Sequence, residues 1–227
     1  MRRLVRTVLV LALVAGALVA ADTIARSRTE DEIAANLTAI PGVVGEPHVS
    51  VAGFPFLTQV SAGSLRSVRV TAPEAVLGGL HLEDVEVDLT DVGTDAPYPA
   101  ARAVMTGRAT PDDLEAVVDA GLDLEIRRGE LVATTTVLGL PLDVVLDPRP
   151  DGREVEVDVV GFTLAGVGVS ADELPADVTD LLQGLRFAVD DLPPGMSLTE
   201  VGVRDDVVVL RAEGVDLDLA TVAAAAR

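Results

Sequence analysis

From Glu46 onward the apolar positions of this chain alternate with polar ones, and the alternation comes in short blocks. They are SVRVTA (67–72), VEVDLTDV (85–92), LDLEI (122–126), LDVVLD (142–147), REVEVDVV (153–160), VVVL (207–210) and VDLDL (215–219). A period of two predicts half-buried strands, dry on one face and wet on the other. Turn chemistry separates the blocks: RRGE at 127–130, DPRPDGR at 147–153 and RDD at 204–206. The period switches to helical spacing in three places. In TEDEIAANLTAIPG (29–42), Thr29 and Glu32 form a capping-box pattern, Ile33, Leu37 and Ile40 share one face, and Pro41-Gly42 ends the helix. In TPDDLEAVVDAG (110–121), Thr110 is the N-cap, Pro111 suits the first turn, and Leu114, Val117 and Val118 are the apolar face. In PADVTDLLQGL (175–185), the stripe is Val178, Leu181, Leu182 and Leu185. Short links between strands predict a mostly antiparallel sheet. The class is therefore α+β, with a curved sheet wrapped around helices, and not a doubly wound parallel fold.

The first residues follow a different grammar. MRRLVRTVLVLALVAGALVAAD has a basic start, an uncharged apolar run from Thr7 to Ala21, and small residues at its end. That is the three-part form of a secretory signal. The run falls short of the roughly 20 residues a spanning helix needs. Two outcomes are expected: cleavage after Ala20 or Ala21, or retention as an anchor if Asp22–Ala25 continues the helix. The division is 1–21 signal peptide or anchor, 22–28 polar linker, and 29–227 one α+β domain. The protein is expected to be exported to the cell envelope or periplasmic space.

Composition narrows what such a domain does. Apolar residues are 49% of the chain but aromatics only 2%, so the core is built from Val, Leu and Ala. The net charge of −20 excludes nucleic acid as an expected partner, since phosphate binding calls for a basic patch. It also disfavours electrostatic adhesion to an anionic membrane. There is no Cys, which removes disulfides, thiolate metal sites and cysteine nucleophiles.

Catalytic patterns are sparse. His48 and His81 are the two histidines, and neither has metal-ligand spacing or a nucleophile elbow nearby. Both read as surface or strand-edge residues. Glu154, Glu156 and Asp158 share a strand face, as do Glu86 and Asp88, but no calcium loop accompanies them, so a solvated acidic face is expected. No metal and no cofactor are expected, and the protein is read as a non-enzyme.

The remaining signal is hydrophobic. A sheet curled incompletely around its helices leaves an apolar groove, and such a groove suits acyl chains. Each buried CH₂ contributes about 0.8 kcal/mol, so ten carbons give roughly 8 kcal/mol before entropy costs. GFPFLTQ (53–59) concentrates scarce aromatics, with Phe54 and Phe56 either side of Pro55. The two rings either line the mouth of a groove or plug the end of the core. GLPL (139–142) echoes that motif, and GFTL (161–164) is a weaker third case.

The N-terminal segment, EIAANL, GFPFLTQ, SVRVTA and GLPLDV together resemble the actinobacterial cell-envelope family of LmeA-like phospholipid-binding proteins. The similarity covers residues from about 28 to 220, with GFPFLTQ its most specific piece. The resemblance implies a fold similar to the tubular lipid-binding type, phospholipids such as phosphatidylinositol as ligand, and a part in maintaining envelope lipoglycan. Phe54, Pro55, Phe56, Leu57, Leu140, Leu142, Phe162, Leu181 and Leu185 are the candidate lipid-contacting residues. Arg66 and Arg69 are candidates for the headgroup phosphate, by bidentate contact. The membrane is an expected partner through the N-terminal segment if it is uncleaved. Two other readings stand beside this one: a partner-binding or scaffold module of the envelope, and a lipid or glycan hydrolase. Neither the headgroup nor the oligomeric state follows from the residues.

Overall fold

The structure is a computed structural model that describes residues 2–118, 122–137, 139–170, 185–189 and 191–225. The chain begins with one long helix, α1 (Arg2–Thr38). Thr29 does not start it. Its hydroxyl donates instead to the Ala25 carbonyl one turn back, as a mid-helix threonine does. The linker expected at 22–28 is helical too, because nothing in DTIARSR breaks a helix and Ala25 packs onto the core. The stop before Pro41 falls as expected.

Two antiparallel sheets follow. The first holds seven strands: β1 (Val43–Val44), β2 (His48–Ala52), β3 (Ser64–Leu77), β4 (Leu80–Gly93), β5 (Pro99–Ala109), β12 (Met196–Arg204) and β13 (Val207–Asp218). Their order is β1-β3-β4-β5-β13-β12, with β2 also pairing with β3. The second holds six: β6 (Asp123–Arg127), β7 (Glu130–Val137), β8 (Leu140–Asp151), β9 (Glu154–Leu164), β10 (Val167–Val169) and β11 (Leu185–Ala188). Their order is β10-β9-β8-β7-β6, with β11 on β9. Three short helices complete the described elements: α2 (Phe56–Ser61), α3 (Pro111–Val117) and α4 (Leu219–Ala225). The architecture is α+β with mostly antiparallel sheets that do not close into a barrel, as the alternating pattern predicts.

Alternation places the strands, and in β2, β8 and β13 burial follows it. In β2 the exposures read out-in-out-in-out, with Val49 and Val51 inward. VVVL and all but the last residue of VDLDL, separate blocks in the sequence, lie in the single strand β13, and Leu219 opens the helix that follows. β5 escapes the pattern because AARAVMTGRA alternates poorly, yet β4 and β13 pair with it on both sides. DPRPDGR also differs from expectation. Strand β8 runs on through Pro148 and Pro150 to Asp151, and only Gly152 and Arg153 turn. Beyond Asp147 it pairs with β9 alone, since β7 ends its pairing at Leu146. A proline on such an edge forfeits no ladder bond. The helix expected over 175–185 lies outside the described residues up to 184, and its last position, Leu185, opens β11 opposite Val157.

Thr110 caps α3 as predicted. Its hydroxyl accepts from the Asp113 N–H at 3.3 Å, and the Asp113 carboxylate accepts from the Thr110 N–H at 2.9 Å. The larger core joins the inner face of the first sheet to Ala25, Ile33, Ala34 and Leu37 of α1, and a second core lies on β6–β8 around Leu142 and Val144.

A candidate lipid cleft between the sheets

The two sheets meet where β12 lies against β8 and β9, and the Leu198 N–H donates to the Gly152 carbonyl at 2.7 Å. Beside that seam an apolar cleft opens between the two sheets. Leu80, Val201, Val208 and Leu210 form the wall from the first sheet. Leu124, Leu131, Leu146, Val155, Val157 and Phe187 form the wall from the second. Leu114 of α3 and Val118 add to the lining. The free space inside the cleft is about 70 Å³, below the roughly 300–1,000 Å³ of small-molecule sites, so an acyl chain enters only as the apolar walls part. A core of Val, Leu and Ala explains the space, because few large rings are present to fill it.

Arg186 is the one charged residue in the lining. It is exposed and bonds Glu156 at 2.9 Å, with Asp151 and Glu154 at 3.8 and 3.7 Å. Three carboxylates around one guanidinium leave the mouth acidic, so the walls and not the rim carry the affinity for an apolar guest.

His81 stands behind the cleft wall, next to Leu80. Its ring nitrogens lie 3.2 Å from Glu74 Oε2 on β3 and 3.2 Å from Asp113 Oδ1 on α3. The bond with Glu74 foremost, and then Asp113, raise its pKa above the ordinary 6.5 against the opposing effect of burial. The sequence read this residue as an outward strand histidine; the structure makes it a bridge that ties α3, and with it Leu114, to the β3–β4 hairpin. Among the described residues no group of His, Asp or Glu has metal-binding geometry. His48 is exposed on β2.

The residues singled out by sequence fall in three places. Phe54, Pro55, Phe56 and Leu57 lie at the opposite end of the first sheet from the cleft. Residue 65, at the motif end of β3, and Leu77, beside Leu80, are separated by roughly 40 Å of extended strand. The motif's two rings part company: Phe54 is 62% exposed, whereas Phe56 is 2% exposed and belongs to the larger core. Arg66 is exposed at the same end, and Arg69 is exposed and already paired with Asp88 at 2.7 Å and Glu86 at 3.3 Å. The GLPL echo repeats the split, with Leu140 exposed and Leu142 fully buried in the second core beside the half-buried Phe162. Leu185 belongs to β11, next in chain to the lining residues Arg186 and Phe187, while Leu181 lies outside the described residues.

None of the cleft walls was legible as a site. Leu114 was read as a helix face and Leu146, Val155, Val157, Val208 and Leu210 as strand positions, which they are. Phe187 carried the only available signal, a scarce aromatic in LRFAV outside every motif.

Comparison with curated proteins and with solved structures finds no match. A family model does match, over residues 20–213, which takes in both sheets, the cleft and α1 from just before Asp22. The chain belongs to the LmeA-like phospholipid-binding family.

Proposed function

We propose that this protein is exported to the cell envelope, keeps its N-terminal helix in the membrane, and holds a phospholipid by its acyl chains in the cleft between the two sheets. The observation that carries the reading is the cleft itself: an open-mouthed space whose lining is apolar apart from Arg186. An acyl chain entering it removes CH₂ groups from water at about 0.8 kcal/mol each, and its headgroup remains at the acidic, solvated mouth. A neutral, hydroxyl-rich headgroup portion, as in phosphatidylinositol, tolerates that rim better than a dense anion, and Arg186 is the cation within reach of the phosphate. The basic start and apolar run of the first residues support export. On this reading the protein carries or presents lipid for lipoglycan upkeep and makes or breaks no covalent bond.

Native mass spectrometry of the full chain, released from membranes with mild detergent, tests the reading. Phospholipid retained at near-unit stoichiometry is expected. Val201→Trp, which adds bulk inside the cleft, should lower retention severalfold, and Val160→Trp, on an exposed position away from the lining, should not. A protein that is lipid-free and takes up no added phosphatidylinositol overturns it.

A further inference from the structure

The GFPFLTQ end of the domain is built onto α1 at one buried carboxylate. Asp22 is 3% exposed, and its two oxygens accept the N–H groups of Phe56 and Leu57 at 2.9 and 2.8 Å, so it caps α2 from another helix. Arg26, one turn on, donates to the Gly53 carbonyl and stands 3.9 Å from Asp22. Within α1, Thr23 turns its hydroxyl onto the Val19 carbonyl at 2.9 Å. The consequence is a change in where the apolar surface of α1 ends. In sequence the first charge after the apolar run is Asp22. In the fold that charge is covered by the motif loop, and Ile24 beyond it is exposed. With Asp22 covered, the uncharged run that begins in sequence at Thr7 continues to Ala25, roughly 28 Å as helix against the roughly 30 Å of a bilayer's hydrocarbon core.

The loop that covers Asp22 presents apolar side chains at the same level. Phe54 is 62% exposed, and Leu57 and Val60 of α2 are exposed beside it. Pairing of Ser64 with Gly93, and the Thr94 N–H donating to the Gly63 carbonyl, bring the β4–β5 turn to this end. That turn carries Tyr98, 46% exposed. Of the five aromatic residues in the chain, Phe54 and Tyr98 are the two that are exposed, and both sit here. Aromatic side chains at a fixed level beside an apolar helix are the arrangement found at membrane–water interfaces.

We infer that this end of the domain is a membrane-docking surface, in which Phe54, Leu57 and Tyr98 seat in the interfacial layer of the bilayer that holds α1. Asp22 is the joint that fixes their depth relative to the helix. The contact is apolar, so it works against a net-neutral lipid surface despite the chain's acidity. The cleft, at the far end of the first sheet, then faces away from this bilayer. The inference rests on the reading that α1 stays in the membrane, and the test separates the two.

The chain contains no Trp, so a single Phe54→Trp substitution gives an unambiguous fluorophore. The full-length variant is reconstituted in phosphatidylcholine vesicles, beside a Val76→Trp variant whose indole sits at the other end of β3. The expected result is that both chains float with the vesicles. The indole of Phe54→Trp emits at shorter wavelength and is quenched severalfold more strongly by lipids brominated high on the acyl chain. Floating chains whose Phe54→Trp indole is no better quenched than that of Val76→Trp overturn the docking surface and leave α1 as an anchor. A chain that does not float, or a mature protein whose mass shows cleavage after Ala20 or Ala21, overturns the anchor and the docking surface together. Lipid in the cleft is read independently by native mass spectrometry.

Discussion

Asp22 caps a helix it does not belong to: its carboxylate accepts the N–H of Phe56, thirty-four residues away, at 2.9 Å. The bond joins α1 to the most characteristic motif of the chain, and the motif's buried ring follows it into the core. Losing a cap of this kind costs stability, and here the cap is also a tertiary tie. Asp22→Ala is expected to lower the melting temperature by a few degrees and to speed hydrogen exchange at Phe56 and Leu57. A chain beginning at residue 29 should show at least the same loss relative to one beginning at residue 20. Equal melting temperatures for the two lengths would remove the tie from the account.

Gly53 is held at φ +98°, and a Cβ built there would stand 2.8 Å from Gln59 Nε2. Gln59 cannot move aside freely. It is buried, donates to the Ala52 carbonyl at 3.2 Å and accepts the Arg66 N–H at 3.0 Å. Gly53→Ala combines left-handed backbone with a clash, and a loss of roughly 1–3 kcal/mol is expected. Denaturant titration checks it. A neutral result would mean the loop relaxes without its glutamine.

The parity of β8 makes a sharper contrast. Leu142 is fully buried and Leu140, two residues earlier, is 45% exposed beside the strand's start. Leu142→Ala is expected to cost roughly 2–5 kcal/mol, and Leu140→Ala to stay within about 0.5 kcal/mol. Comparable losses at both positions would show that Leu140 is covered in solution.

His81 gives the protein a pH dependence with a definite sign. Its folded pKa is raised above 6.5, chiefly by Glu74 and then by Asp113, so the folded state holds the proton more tightly than the unfolded chain. The stability this adds is fully present below pH 6.5 and is lost as pH rises through the folded value. Melting temperatures taken from pH 6 to 9 should fall more for the native chain than for His81→Gln. An NMR titration should place the His81 pKa above that of an unstructured peptide and show its largest decrease in Glu74→Gln. A His81 that titrates at or below 6.5 contradicts the bridge.

Much of the fold was legible because its signals are local. The period of two in β3, β4, β8 and β9 reflects the pleat itself, and the Thr110 cap is a matter of three residues. β5 was not legible, since its place between β4 and β13 comes from its neighbours and its own alternation is weak. Thr29 misled for a related reason. Its capping pattern is real, but a helix already running from upstream needs no cap there. The motif GFPFLTQ was visible as special from its composition, and the structure then gave its two rings different work.

What the sequence determined by itself is the inventory: alternating strands, an α+β class, an apolar helical start, a family-level resemblance, and a core with few large rings to fill it. What the tertiary structure alone decided is adjacency. The cleft is made of ordinary strand residues from both sheets, none of which differs in pattern from its neighbours, and it exists because the two sheets face each other beside the β12 seam. The cover over Asp22 likewise comes from residues 53–57, beyond the reach of any local period. Burial is a property of which distant segments meet, and a one-dimensional pattern records only the face each residue offers to that meeting.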